Sequence, residues 1–240
     1  MKKLLCTPVA HRGLHGDTVP ENSLAAFAAA FRAGYAVETD VHFTKDKKVV
    51  VFHDDSLLRM TGVDRQISDC TFEELQTLRL DGTEEKIPLL SEFLALTDET
   101  AAILLEIKNE PTADKQEFLS AIAREFDSFK GEYAVQSFQP FYVNGYKKLR
   151  PEVSCGLLTQ SNPSLSDFAP PFARIKRQAV SHMSFNFLIK PDFISFDFHS
   201  PTKKMKKFKG AKFAWTVRSK EDGKIAREYA DNIIFENYLP

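Results

Sequence analysis

Polar side chains recur in this chain at the ends of apolar runs, where charge is costly to keep. His11-Arg12-Gly13 comes first, then Pro20-Glu21-Asn22, Glu38, Asp40, His53-Asp54 and, much later, Leu105-Glu106-Ile107-Lys108. Glu38 and Asp40 stand two apart in an apolar segment, so on a strand both face one way while Val37 and Val41 face the other. Like charges placed together repel unless a cation joins them. Glu106 offers a third carboxylate near the end of another apolar run, and such oxygen donors suit Mg2+ or Ca2+. The same residues also fit a structural network in which Glu38 and Glu106 pair with Arg12 and Lys108. Spacing leaves both readings open.

His11 and His53 can carry protons near neutral pH. Arg12 has the planar fork that fits a phosphoryl group, and Lys108, on the same strand face as Glu106, is a compact positive charge. Gly13 allows close backbone approach. A cation, an arginine, a lysine and two histidines together favour an anionic ester, and phosphate is the natural candidate. Asp54 could orient a histidine, but it follows His53 directly and on a regular strand points away, so binding backbone amides of the next turn is the other reading.

Short β-like runs alternate with helical ones. Strands are expected at Leu4–Ala10, Ala36–Val41, Ala102–Ile107, Tyr133–Phe138, Val153–Leu158, Phe193–Asp197, Lys212–Val217 and Asn232–Phe235. Helices are expected at Asn22–Arg32, Ala113–Phe126, Pro140–Leu149, Leu165–Arg177 and Lys220–Ala230. Val49–Phe52 follows the second strand too closely for a parallel crossover, so it reads as a hairpin-like excursion. Setting it aside leaves eight strands, which fit a (β/α)8 TIM barrel, with a doubly wound sheet as the alternative. An irregular section at about 55–100 reads as a small helical insertion, with a capping pattern at Thr71-x-x-Glu74 and short helices at Phe72–Leu80 and Leu89–Leu96.

With 240 residues and 43% hydrophobic content, one domain spanning 1–240 can bury its own core. A net charge of -1 gives no global field for nucleic acid. The local run of Lys203, Lys204, Lys206, Lys207, Lys209 and Lys212 reads first as a solvated face. Cys6, Cys70 and Cys155 have no metal spacing, and their odd number argues against a disulfide framework. Met1-Lys2-Lys3-Leu4-Leu5 starts like a signal peptide, but no small-residue cleavage site precedes His11-Arg12, and no segment is apolar enough to span a membrane. The expectation is a cytoplasmic protein without stable membrane insertion. Protein partners and oligomeric state are left open.

The chemistry-bearing residues resemble those of the glycerophosphodiester phosphodiesterase family. The resemblance runs through His11-Arg12-Gly13, Pro20-Glu21-Asn22-Ser23, Ala26-Phe27, Glu38-x-Asp40-Val41, Thr44-x-Asp46, His53-Asp54, Leu57 and Arg59. It continues through Leu105-Glu106-Ile107-Lys108, Gln136-Ser137-Phe138 and Trp215-Thr216-Val217, nearly the full chain in order. It implies a TIM barrel that hydrolyses a small glycerophosphodiester to glycerol 3-phosphate and an alcohol. It implies Glu38, Asp40 and Glu106 as ligands of a divalent cation, Mg2+ or Ca2+. His11 and His53 would be the acid–base pair, and Arg12 and Lys108 the phosphate holders. Attack by the substrate's own glycerol hydroxyl and attack by water both fit.

Three departures from the family pattern lie at strand ends: Ser23 for threonine, Arg218 for asparagine, and Glu236-Asn237 where threonine-aspartate is usual. They bear on substrate choice more than on phosphodiester chemistry. The resemblance places Phe138 and Trp215 at the pocket mouth as wall residues, with Trp215 able to face a choline cation. Gln136 can hydrogen-bond inside the barrel. Asp197 and His199 read as a rim pair or a satisfied surface pair. Phe185, Phe187, Phe193, Phe196 and Phe198 cluster around one connection. An exposed set of them would fit a lysophospholipase D acting on a lipid. A non-catalytic phosphate-binding barrel and a monoester phosphatase are the remaining alternatives.

Overall fold

In the computed structural model, residues 1–160 and 189–240 are described. Their strands are β1 (Val9–His11), β2 (Ala36–Phe43), β3 (Val49–Val51), β4 (Ala102–Ile107), β5 (Glu132–Ser137), β6 (Ser154–Thr159), β7 (Phe193–Asp197), β8 (Ala211–Val217) and β9 (Asn232–Phe235). Apart from β3, they pair in parallel in the order β1-β2-β4-β5-β6-β7-β8-β9, and β9 pairs back onto β1. That last pairing closes an eight-stranded parallel barrel with helices between strands, and it excludes the open doubly wound sheet. The expected helix at Leu165–Arg177, with Phe185 and Phe187, lies outside the described residues.

Period-two alternation along each strand builds two different cores. Outward residues such as Ala10, Val37, Ile103, Leu105, Val135, Ile194 and Phe235 pack against the surrounding helices. Inward residues at the strand beginnings, Val9, Ala36, Ala102, Leu104, Ala134, Phe193, Phe213 and Ile234, form a separate apolar plug. Continuing inward up the same strands, the side chains become His11, Glu38, Asp40, Glu106, Gln136, Ser195, Trp215 and, just past β9, Glu236. The barrel is thus dry at its N-terminal end and polar at its C-terminal end, where sites of this architecture sit.

The expected strand Leu4–Ala10 is corrected. Lys2–Cys6 is a short helix, and β1 begins only at Val9. A short apolar run does not distinguish helix from strand by itself. Tertiary contacts decide it here. Leu4 joins the apolar plug, its N–H donates to Glu132 Oε1 at 2.8 Å, and the Asn232 amide donates to the carbonyls of Leu4 and Thr7 at 2.7 and 2.6 Å.

The hairpin expectation at Val49–Phe52 holds. β3 is antiparallel to β2 with Val41 opposite Val51. β1 pairs only with Ala36–Glu38, so β3 runs along the part of β2 that extends past it and returns the chain to the barrel mouth. Between β3 and β4 lie short helices at Leu58–Thr61, Phe72–Leu75 and Leu90–Ala95. The Thr71–Glu74 capping box forms. This section has its own core of Val50, Phe52, Leu57, Met60, Ile67, Leu75 and Ile87. The helix Leu24–Arg32 is capped by Ser23, whose hydroxyl accepts from Ala26 N–H, and it ends ahead of Gly34 at φ +79°.

Candidate active site

β1 ends in His11, and the chain then turns sharply. Arg12 has φ +55°, and Gly13 has φ +83°. A Cβ on Gly13 would stand 2.7 Å from the Ala26 backbone carbon, so only glycine lets the turn press against the Leu24–Arg32 helix. The turn sets His11 and Arg12 side by side at the barrel mouth. His11 Nδ1 lies 2.9 Å from Glu236 Oε2, leaving Nε2 3.9 Å from Glu38 Oε2. Burial pushes the His11 imidazole down to about 4, against the raising effect of the Glu236 hydrogen bond. The ring is therefore neutral at pH 7, donating from Nδ1 and open at Nε2. Glu236, bonded first by His11 and then flanked by Arg218, is held down to about 2 despite its burial.

Glu38, Asp40 and Glu106 converge from β2 and β4, which pair with Asp40 opposite Glu106. One carboxylate oxygen from each lies within 4.8 Å of the others, and all three side chains are buried. Lys108 Nζ sits 2.7 Å from Glu106 Oε1 and 2.8 Å from Asp40 Oδ1, the latter without hydrogen-bond geometry. Arg12 Nε lies 3.5 Å from Asp40 Oδ2, and its backbone N–H donates to Glu38 Oε2 at 3.3 Å. Asn22, at φ +54°, donates to Asp40 Oδ2 at 3.0 Å and is itself held by the Thr39 hydroxyl.

The charges in this cluster are unbalanced. Burial raises Asp40, but Lys108, His53 and Arg12 together pull it far below the usual carboxylate range. Glu38 is pushed well above that range, first by burial and then by Asp40 and Glu106. Glu106 is also raised, by burial ahead of its neighbours. Lys108 and Arg12 do not neutralise three buried carboxylates, because Arg12 also serves Glu21. An added divalent cation fits the deficit, and the all-oxygen donor set suits Mg2+ or Ca2+. Chemically, the salt-bridge network and the cation seat are the same residues.

His53 follows β3 at the mouth. Its Nδ1 lies 2.5 Å from Asp54 Oδ1. Of the two readings of Asp54, the geometry matches the orienting one: the chain leaves regular strand geometry after Val51, so the neighbouring carboxylate turns back onto the imidazole. Arg59 holds Asp54 with bonds of 2.6 and 3.1 Å and reaches Glu21 Oε1 at 2.6 Å. Glu21 Oε1 also accepts from Arg12 at 2.8 Å. Pro20-Glu21-Asn22 thus binds both arginines through Glu21 and Asp40 through Asn22.

Phe138 and Trp215 pack edge to face, with centroids 6.0 Å apart, and Trp215 Nε1 is buried without a partner. A cavity of about 550 Å³ is lined by His53, Glu106, Lys108, Ser137 and Phe138. Gln136 accepts the Ser195 hydroxyl at 2.6 Å inside the barrel. His199 is 59% exposed and pairs with Asp197 at 3.0 Å, so this is a satisfied surface pair. Lys203, Lys204, Lys206, Lys207 and Lys209 are exposed, and Lys206 lies over the Tyr229 ring. Sequence reasoning missed Glu236 as the His11 partner. It also missed His42, whose place two residues past Asp40 on the same strand face was the available signal.

Known proteins resemble this chain in sequence and in fold. The sequence profile described as the Glycerophosphoryl diester phosphodiesterase family matches residues 11–238. The chain belongs to that family. With it, the chain belongs to the phosphoric diester hydrolases. It is 30% identical over 243 residues to the glycerophosphodiester phosphodiesterase of Caldanaerobacter subterraneus subsp. tengcongensis, covering 95% of this chain and 93% of that protein. It is 37% identical over 120 residues to lysophospholipase D GDPD1 of Rattus norvegicus, spanning 45% of this chain but only 38% of that protein. The solved structure of an Oleispira antarctica phosphodiesterase, in complex with its product sn-glycerol-3-phosphate, superposes with a TM-score of 0.80 at 23% identity, covering 98% of this chain and 95% of that one. Among the described residues, no helix is long and apolar enough to cross a membrane.

Proposed function

We propose that the chain hydrolyses small glycerophosphodiesters to glycerol 3-phosphate and an alcohol in a divalent-cation-dependent reaction. The observation that carries the reading is a pair of carboxylate-oriented histidines bordering one buried carboxylate cluster: His11 on Glu236 and His53 on Asp54. Each imidazole uses Nδ1 for its carboxylate and keeps Nε2 for the substrate, the arrangement that general acid–base chemistry needs.

Glu38, Asp40 and Glu106 would hold the cation, which supplies charge stabilisation to the phosphoryl oxygens. Arg12 and Lys108 hold the phosphate, Arg12 through its fork and Lys108 as a point charge. His11, kept neutral by burial, takes the proton from the attacking group, either water directly or the glycerol hydroxyl in a first step whose cyclic phosphate water then opens, and Glu236 stabilises the imidazolium that results. His53, 32% exposed at the mouth, gives its proton to the leaving alkoxide. Phe138 and Trp215 wall the side where the alcohol departs. The product named in the Oleispira structure is the one this reaction yields.

A lipid substrate is the second reading, favoured by the Phe138–Trp215 wall and by Phe141, which is 64% exposed at the start of the following helix. Purified protein should therefore be offered glycerophosphocholine, glycerophosphoethanolamine, glycerophosphoinositol and lysophosphatidylcholine, with Mg2+, with Ca2+ and with chelator. Release of glycerol 3-phosphate that stops on chelation is expected. Turnover of lysophosphatidylcholine alone would select the lipid reading, and no turnover of any diester with either cation would sink both.

A further inference from the structure

We infer that the buried pair His42–Glu110 is a positioning device for His53, tying the proton carrier to the strand that bears the cation seat; this rests on the proposed role of His53. His42 and Glu110 are 1% and 4% exposed, so an ionisable pair is kept where apolar packing would be cheaper. His42 Nδ1 lies 2.6 Å from Glu110 Oε1, and Nε2 lies 3.2 Å from the His53 carbonyl oxygen. The carbonyl can only accept, so Nε2 is the donor to His53 while Nδ1 is held by the Glu110 carboxyl group. The ring cannot turn without stranding a buried acceptor.

Glu110 is fixed in turn. Its Oε1 accepts from Phe43 N–H at 3.2 Å, its own N–H donates to Tyr142 Oη at 3.1 Å, and the Tyr142 hydroxyl returns a bond to the Glu110 carbonyl. His53 lies past the end of β3, where no ladder holds it. Two groups of β2 replace the ladder: the Asp40 carbonyl accepts from Phe52 N–H at 3.1 Å, and His42 donates to the His53 carbonyl. With Asp54 on its Nδ1, the His53 imidazole is fixed from both its backbone and its ring. The distance from the carboxylate cluster to the proton carrier is thereby set within one strand. A displacement of about 1 Å at such a group costs on the order of 10²-fold in rate.

The test is a double-mutant cycle on kcat with glycerophosphocholine, together with KM, thermal midpoint and cation affinity. His42→Leu/Glu110→Leu removes the device without leaving one charge unpaired. It should lower kcat about 30-fold while KM and cation affinity change by no more than about twofold. His42→Gln, which keeps a donor at the Nε2 position, should recover most of that loss. In a His53→Ala background the same double replacement should alter the residual kcat by less than about threefold, because its effect runs through His53. An equal loss in both backgrounds, or undiminished kcat in the wild-type background, overturns the inference. Full activity of His53→Ala alone instead removes the role proposed for His53, a separate result. If the double-leucine protein does not fold, His42→Asn, which keeps a partner for Glu110 and withdraws the donor from His53, carries the same comparison.

Discussion

Glu236 Oε2 stands 2.9 Å from His11 Nδ1, although 225 positions separate the two residues in the chain. The contact exists because β9 closes onto β1, pairing Phe235 with Ala10 and setting the next residues of both strands at the mouth. The carboxylate also takes a 3.2 Å bond from Arg218 at the end of β8. Two of the positions that depart from the family pattern therefore act together on one imidazole.

Glu236 fixes which His11 nitrogen carries the proton, and its removal should free the ring. Glu236→Ala is expected to lower kcat by about 10²-fold with KM changed little. Glu236→Gln, which still offers an oxygen to Nδ1–H but no charge, should fall between. Steady-state kinetics with glycerophosphocholine measures this, and a Glu236→Ala enzyme with wild-type kcat would remove the tautomer role.

Much of this was legible in the sequence, and the reasons differ by element. Ala102–Ile107 and Phe193–Asp197 were found to the residue, because barrel strands buried on both faces are continuous apolar runs bounded by polar ones. Glu38, Asp40 and Glu106 stood out because charge interrupts such runs at strand ends. The Lys2–Cys6 helix did not, since its form is set by Glu132 and Asn232 from distant strands. The partners of Glu236 and Asp54 were not fixed by the sequence for the same kind of reason. One acquires its partner only by barrel closure, and the other only because the chain leaves strand geometry at His53.

Burial of neutral His11 couples stability to pH. The folded ring titrates near 4 and the unfolded ring near 6.5. Below 6.5 the unfolded chain binds the extra proton, so stability present above that pH is lost as pH falls toward 4, by at most about 3 kcal/mol. Glu236, lowered to about 2, adds a further loss in the same direction below 4.5. The urea midpoint of metal-free protein should fall from pH 7 to pH 4.5, and His11→Asn should flatten that slope. An unchanged slope in the variant would show that the ring is not held neutral.

Lys108 and the proposed divalent cation would compete for the same oxygens. The ammonium lies on Asp40 and Glu106, and although burial opposes its charge, these two carboxylates raise its pKa. A cation entering the cluster would displace it and free Lys108 for its proposed phosphate contact. Lys108→Met should therefore bind Mg2+ or Ca2+ more tightly by calorimetry while kcat/KM falls by about 10²-fold. Glu106→Gln should lose cation affinity and any rise in thermal midpoint on adding the cation. Weaker cation binding by Lys108→Met would mean that the ammonium supports the seat instead of occupying it.

Arg59 joins the two halves of the site through side chains alone. It bonds Asp54, which orients His53, and it bonds Glu21, which accepts from Arg12. Burial opposes a charge on Glu21, yet the two arginines keep its pKa below the ordinary value, Arg59 contributing the strongest bond. The path from the proposed phosphate holder to the proposed proton carrier is thus Arg12–Glu21–Arg59–Asp54–His53, with each carboxylate shared between two partners. Loss of Arg59 should loosen both ends at once. Arg59→Met is expected to raise KM about fivefold and to lower kcat about 20-fold, whereas Arg59→Lys, able to reach one carboxylate but not both in the fork geometry, should restore only one of the two parameters. A lysine variant that recovers both would show that charge, and not the bidentate bridge, is what this position supplies.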